Sequence, residues 1–273
     1  MGSKLSGIDE LIPFTYADPR IGSRFTIRKF EEADRKYIED ICCDTAVSGI
    51  GIDRFFSDRD FYGRLLTKSY LDLEAENAYV AASQDNRVIG YMIAASGKKF
   101  DAERNKLWVK MFSGNIGKYF WEGGKYSNSM NRRFIIKLLA SVPAFAPYKL
   151  DIFVHNLAKN RKWKFPGRMG HMHFNIRQEA RGGLLGPVLA NIFEHKMWEA
   201  GIRELYGMIS WDPLPAVRMG YEAVVKRKYF AYSTKENPRY FTLIYKQLNE
   251  TPRLHNILNA SLSSSQQPAL QQP

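Results

Sequence analysis

Hydrophobic and polar positions alternate with period two in several short stretches and recur at helical spacing in others. Residues 24–30, Arg-Phe-Thr-Ile-Arg-Lys-Phe, alternate as a strand. Glu31 to Thr45 reads as a helix with Tyr37, Ile38, Ile41 and Cys42 on one face, and a second helix is expected from about Asp58 to Leu71. Ala78 to Ala82 and Arg87 to Ala95 are apolar runs around Gln84-Asp85-Asn86, which predicts a hairpin. Met172, Phe174 and Ile176 alternate with His171, His173 and Asn175. A glycine-rich turn follows, and then Leu185, Leu189, Ile192, Phe193, Met197 and Trp198 at helical spacing, with Gly201 as the stop. Leu205 to Ser210 reads as a strand. Asp212 reads as a helix cap with Pro213 at the first helical position, and 223–232 with 239–247 as a closing antiparallel pair.

The strand–turn–helix at 170–189 carries the most chemistry. Gly182, Gly183 and Gly186 allow a sharp turn and close approach of backbone to a ligand. Free N–H groups and the positive end of the helix converge there, which suits phosphate or pyrophosphate. The loop Arg181-Gly182-Gly183-Leu184-Leu185-Gly186 resembles the pyrophosphate loop of the GNAT acyl-CoA N-acyltransferase superfamily, Gln/Arg-x-x-Gly-x-Gly/Ala, although Leu184 stands where that pattern has glycine and Pro187 removes one donor. A closer resemblance is to the branch containing the acetyltransferase-like domain of O-GlcNAcases. It rests on Phe165-Pro166 upstream of His171-Met172-His173-Phe174-Asn175, on Ile41 to Ala46, on Tyr70 to Glu74 and on Val88 to Met92, and it spans about residues 24–245.

The resemblance implies an α/β fold: a GNAT-like mixed, mostly antiparallel central sheet with helices on both faces. It implies acetyl-CoA as cosubstrate, a primary amine as acceptor, and direct attack of the amine on the thioester. Arg181, Gly182, Gly183, Leu184, Leu185 and Gly186 would hold the pyrophosphate mainly by backbone, and backbone groups near Phe174 and Ile176 the pantetheine arm. His173 is the favoured base or relay, His171 a second candidate, and Asn175 positions the acceptor. Asn175 stands where the branch often has Asp, and an amide accepts no proton at neutral pH. Glu179, Asp212 and Glu222 are the substitute acids. The tyrosine that many relatives use as thiolate acid has no counterpart, and Tyr221 reads as packing. Two histidines at i, i+2 need further ligands to hold a metal, and none is identifiable, so no metal is expected.

Composition adds a second theme. Residues 98–168 hold 16 Lys/Arg against four acids, an excess equal to the whole-chain net charge of +12. A basic segment in an otherwise balanced chain implies an acidic partner. The expected organisation is an N-terminal arm over 1–22 broken by Pro13 and Pro19, and an acyltransferase domain over 23–249. A basic insertion over 97–169 precedes the central strand, and a disordered Ser/Gln/Pro-rich tail covers 250–273. Within the insertion Phe134 to Ala140 reads as helical and ended by Pro143 and Pro147, and Asp151 to Val154 as a strand. The insertion reads as a lid recruiting an acidic acceptor, as a nucleic-acid surface combining cations with Trp108, Phe112, Tyr119, Trp121 and Tyr126, or as a docking face. Two alternatives follow: a CoA-binding recognition module without turnover, and a nucleic-acid-binding domain. No apolar run is long enough to span a membrane. Cys42 and Cys43, the only cysteines, are adjacent and make no disulfide framework, so a cytoplasmic setting is expected. Oligomeric state and the identity of the amine are left open.

Overall fold

A computed structural model describes residues 7–97, 100–107, 109–110, 113, 129–145, 147–159, 161, 166–234 and 236–252. Eight strands form one sheet: β1 Phe14–Asp18, β2 Ser23–Lys29, β3 Ala78–Ser83, β4 Val88–Ala95, β5 Gly170–Ile176, β6 Glu204–Ile209, β7 Glu222–Lys228 and β8 Tyr240–Gln247. Their order is β1-β2-β3-β4-β5-β6-β8-β7. Every neighbouring pair is antiparallel except β5 and β6. The main helices are α1 Arg35–Asp44, α2 Arg59–Leu73, α3 Ser129–Phe145, α4 Tyr148–Ala158, α5 Leu185–Glu199 and α6 Leu214–Arg218. Residues 100–107 are also helical.

The sheet is covered on both faces. Leu185, Leu189, Ile192 and Phe193 of α5 pack with Met92, Met172, Phe174 and Ile176. Ile38 and Ile41 of α1, and Phe61 and Leu65 of α2, pack on the opposite face with Val80, Tyr91 and Ile93. β3 and β4, sandwiched between these layers, therefore read as continuous apolar runs rather than alternating ones. The helical part of the insertion extends the α1–α2 layer. Phe134, Ile135 and Leu138 of α3 join its core, and Ile152 of α4 packs with Tyr206, Leu243 and Tyr245 beyond it.

Four expectations are corrected. The stretch 1–22 was expected to be an irregular arm, yet it carries β1, registered on β2 from Phe14↔Ile27 to Asp18↔Ser23. Its two prolines flank the strand: Pro13 precedes it and Pro19 lies in the turn, so neither removes a donor inside β1. Asp151 to Val154 is helical within α4, because the apolar run serves a helix that buries Ile152 against β6 and β8. The helix α3 continues through Pro143 to Phe145, where a missing donor falls in the last turn and costs one bond. Asp212 lies one residue further out than a cap. Its carboxylate accepts from Leu214 N at 3.0 Å, and Pro213 occupies the cap position. The tail from 253 and the aromatic run 118–121 lie outside the described residues.

Candidate active site

The strands β5 and β6 pair only at Gly170↔Leu205 and His171↔Tyr206. β5 stays paired with β4 as far as Ile176, and β6 with β8 as far as Ile209. From Met172 to Ile176, then, the edge of β5 that faces β6 has no strand partner among the described residues, and its N–H and C=O groups line a parting between the two strands. Such unpaired backbone needs a partner of another kind.

The connection after α1 lies across the mouth of this parting. Ser48 Oγ donates to the Ser210 carbonyl at 3.1 Å, just beyond β6. On the other side, Gly49 sits against Arg181, and a Cβ on Gly49 would lie 2.8 Å from the guanidinium. Arg181 Nε donates to the Ile176 carbonyl at 2.8 Å, closing the end of β5. Arg177 donates to Asp44 at 2.8 Å and Arg59 to the same carboxylate at 2.6 Å, which ties the end of α1 to β5 and α2.

The three polar residues of β5 share one face but differ in surroundings. His171 is 6% exposed and enclosed by Tyr70, Phe100 and Tyr206, with ring centroids 5.4, 5.3 and 5.0 Å away. Burial, and then the charge of Arg104, push its pKa down to about 3. Its Nε2 is buried without a hydrogen bond among the described residues. Residues of the insertion and of β6 thus close over the start of β5. His173 and Asn175 lie further along, gathered by Tyr91 of β4. Asn175 Nδ2 donates to Tyr91 Oη at 2.8 Å. His173 Nδ1 is 3.3 Å from the same hydroxyl, and Asn175 Nδ2 is 3.4 Å from His173 Nε2. Burial pushes His173 down to about 4, so the ring is neutral at neutral pH. With Nε2 accepting from the amide, the network assigns the proton to Nδ1, facing Tyr91. Asn175 Oδ1 has no hydrogen bond among the described residues.

The glycine loop runs from β5 into α5. Gly182 has φ +85°, and a Cβ there would meet nothing within 4 Å, so its backbone conformation, not space, favours glycine. No side chain of the loop caps α5. The cap comes from β1: Leu184 N donates to Asp18 Oδ2. Of the loop's donors, the Leu184 amide is therefore already bonded to a carboxylate.

The remaining candidates lie elsewhere. Glu222 accepts from His155, Lys159 and Arg161 at 2.9, 2.8 and 2.6 Å, which holds its pKa down to about 2 against the opposing pull of burial. Glu179 pairs with Arg87 at 3.2 Å. Tyr221 is buried in the core beside α5. Cys42 and Cys43 are buried thiols; burial raises both, Cys43 to about 12. Among the described residues, no group of three His, Cys, Asp or Glu is placed to hold a metal, and no helix is long and apolar enough to cross a membrane. Part of the insertion's charge is spent internally: Arg104 pairs with Asp101, Lys106 with Glu103, and Lys159 and Arg161 with Glu222. Tyr91, Asp18, Asp44 and Ser48 escaped the sequence reading. Only the Gly49-Ile50-Gly51 punctuation marked the covering loop.

No family model and no curated protein matches the sequence. Solved structures do match in fold. The crystal structure of SsHAT aligns over 83% of this chain and 99% of its own, with 17% identity and a TM-score of 0.56. A polyamine N-acetyltransferase from Drosophila melanogaster aligns over 82% and 100%, with 13% identity and a TM-score of 0.49. A GNAT superfamily phosphinothricin acetyltransferase from Sinorhizobium meliloti, solved with AcCoA, aligns over 82% and 88%, with 14% identity and a TM-score of 0.46. At such identities the likeness is one of fold, and it rests on the first of the three. The fold is mixed α/β and GNAT-like.

Proposed function

We propose that this protein is a cytoplasmic acetyl-CoA-dependent N-acetyltransferase acting on a primary amine. The parting of β5 from β6, with a glycine loop and a helix N-terminus at the end of β5, carries the reading. The free edge near Phe174 and Ile176 offers amide partners to a pantetheine arm. Gly182, Gly183, Leu185 and Gly186 offer backbone N–H groups to the phosphates, with Arg181 beside them. The resemblance to the O-GlcNAcase-linked branch is part of the same proposal and rests on the β5 segment and its flanks.

The amine attacks the thioester carbonyl carbon, and the tetrahedral intermediate collapses with loss of the CoA thiolate. A backbone donor on the free edge of β5 is suited to the oxyanion, a role worth about 3 kcal/mol. Asn175 Oδ1 accepts a hydrogen bond from the incoming amine. The amine reacts in its neutral form, because His173, a weak base at about 4, is unsuited to deprotonating an ammonium ion; the proton that the attacking nitrogen sheds on forming the C–N bond passes by way of His173 to the departing thiolate, which leaves as the thiol. The buried, raised thiols of Cys42 and Cys43 speak against a covalent acyl-enzyme.

A second reading, a CoA-binding module without turnover, is favoured by Asn175 in place of an acid and by the enclosure of His171. Calorimetric titration with acetyl-CoA and CoA, followed by thiol release with a panel of amines, separates the readings. Micromolar binding with thiol release supports the enzyme. Binding without release for any amine supports the module, and absence of binding overturns both. Gly182→Asp, which places a carboxylate at the phosphates, is expected to weaken CoA at least tenfold; unchanged affinity in the folded variant removes the loop assignment. A nucleic-acid-binding role rests on the charge of the insertion and on Trp108, Phe112, Tyr119, Trp121 and Tyr126, which lie outside the described residues.

A further inference from the structure

Asp18 is a buried carboxylate with no cation beside it among the described residues. It is 1% exposed at the end of β1, and no described Lys, Arg or His pairs with it. Carboxylates withdrawn from water this far are ordinarily paired or fully hydrogen-bonded. Asp18 is satisfied by backbone alone: Oδ1 accepts from Arg20 N at 3.0 Å, and Oδ2 accepts from Leu184 N. The compensating positive field is the N-terminus of α5, a helix of 15 residues. The hairpin turn aims the side chain, because Gly22 N bonds the Asp18 carbonyl at 2.9 Å. Gly183 is shaped by the same contact. A Cβ there would lie 2.1 Å from Asp18 Oδ2, so glycine is required by the carboxylate rather than by φ.

The protein therefore supplies an anion of its own where the proposed donor would bring phosphates. We infer that Asp18 competes with the phosphates of the acyl donor for the Leu184 amide and the N-terminus of α5, and so sets how tightly the donor is held. This rests on the donor reading given above. A phosphate arriving at the loop must either displace the carboxylate or sit against a like charge, and both lower affinity. The pantetheine part of the donor, which runs along β5, is unaffected. A helix cap and nothing more would instead change stability and leave the relative affinities for phosphorylated and unphosphorylated donors unchanged.

The test compares wild type with Asp18→Asn, which keeps an oxygen acceptor for Leu184 N and removes the charge. Calorimetry with CoA and with pantetheine, which has no phosphates, gives the two affinities. The expected result is CoA binding at least tenfold tighter in Asp18→Asn, with pantetheine affinity unchanged. Wild type and variant binding CoA equally well overturns the inference and leaves the donor reading standing, as does an equal shift for both ligands. Absence of CoA binding in both proteins overturns both readings. Asp18→Ser carries the same expectation if the amide variant fails to fold. In the wild-type protein, the Arg20 amide, bonded to Asp18 Oδ1, is expected to exchange faster with CoA bound; unchanged exchange also counts against displacement.

Discussion

Acid is expected to destabilise this protein through two buried histidines before a cation-held carboxylate such as Glu222 titrates. His171 is lowered to about 3 and His173 to about 4, chiefly by burial. In the unfolded chain both return to about 6.5. The folded state therefore binds fewer protons than the unfolded state between these values, and stability falls as pH falls through this window. The contribution is fully present above about pH 6.5. At about pH 5 the unfolded state gains about 2 kcal/mol per histidine relative to the folded state. The pair then removes about 4 kcal/mol, a large share of the 5–15 kcal/mol typical of a domain. That sum is an upper value, because the His173 charge is itself among the causes that lower His171. His195, also lowered by burial, adds to the same window, whereas Glu222, held at about 2, loses its contribution only in stronger acid. Urea midpoints measured from about pH 7.5 down to about pH 5 read the slope directly. The His171→Gln, His173→Gln double variant is expected to be much flatter across that range. A double variant with the wild-type slope would refute the reasoning, as would ring pKa values near 6 from the proton shifts of the two imidazoles.

Gly183→Ala is expected to cost about 2 kcal/mol by pressing a methyl onto Asp18, whereas Gly182→Ala pays only for its positive φ, about 1 kcal/mol; thermal denaturation with the reverse order would reject the Asp18 contact. In an Asp18→Ala background the same Gly183→Ala substitution should cost much less. Tyr91→Phe removes the hydroxyl that accepts from Asn175 and faces His173. A loss of about 1–2 kcal/mol in chemical denaturation is expected, and no loss would mean the network is slack. If turnover is found, its pH profile should show no histidine inflection between about pH 5 and about pH 8 and should rise toward the pKa of the amine; an inflection near 6.5 abolished by His173→Gln would overturn the assignment of a neutral, weakly basic ring.

Much of the architecture follows from local pattern. The alternation in 24–30, the helical spacing from Leu185 to Met197 and the closing pair β7–β8 each carry a period that only one kind of element can satisfy while burying its apolar side, and β3 and β4 are marked instead by short apolar runs on either side of a turn. The loop 181–186 was legible for a similar reason, since glycines between a strand and a helix have few uses. Elements whose identity depends on a distant partner were not legible. Phe14 to Asp18 is too short to declare itself, and it becomes a strand because β2 offers it an edge. Asp151 to Val154 looks like a strand until β6 and β8 present a face for a helix to cover.

The site divides the same way. The sequence put His171, His173 and Asn175 on one face, because alternate residues of a strand share a side. It could not tell them apart, since their difference lies in what packs on them: aromatic rings of α2, the 100–107 helix and β6 around His171, and the Tyr91 hydroxyl between His173 and Asn175. The excess of 12 positive charges was plain from composition, but which of those cations face acids of the protein itself was decided by the packing of α4 on β7. Asp18 is the sharpest case. It is separated from Leu184 by 166 residues, and no local rule links a carboxylate at the end of one strand to the glycine before a distant helix. Periods and turn residues are short-range and are written in the chain, whereas burial, charge compensation and the competition for a helix N-terminus arise only when remote segments share the same few ångströms.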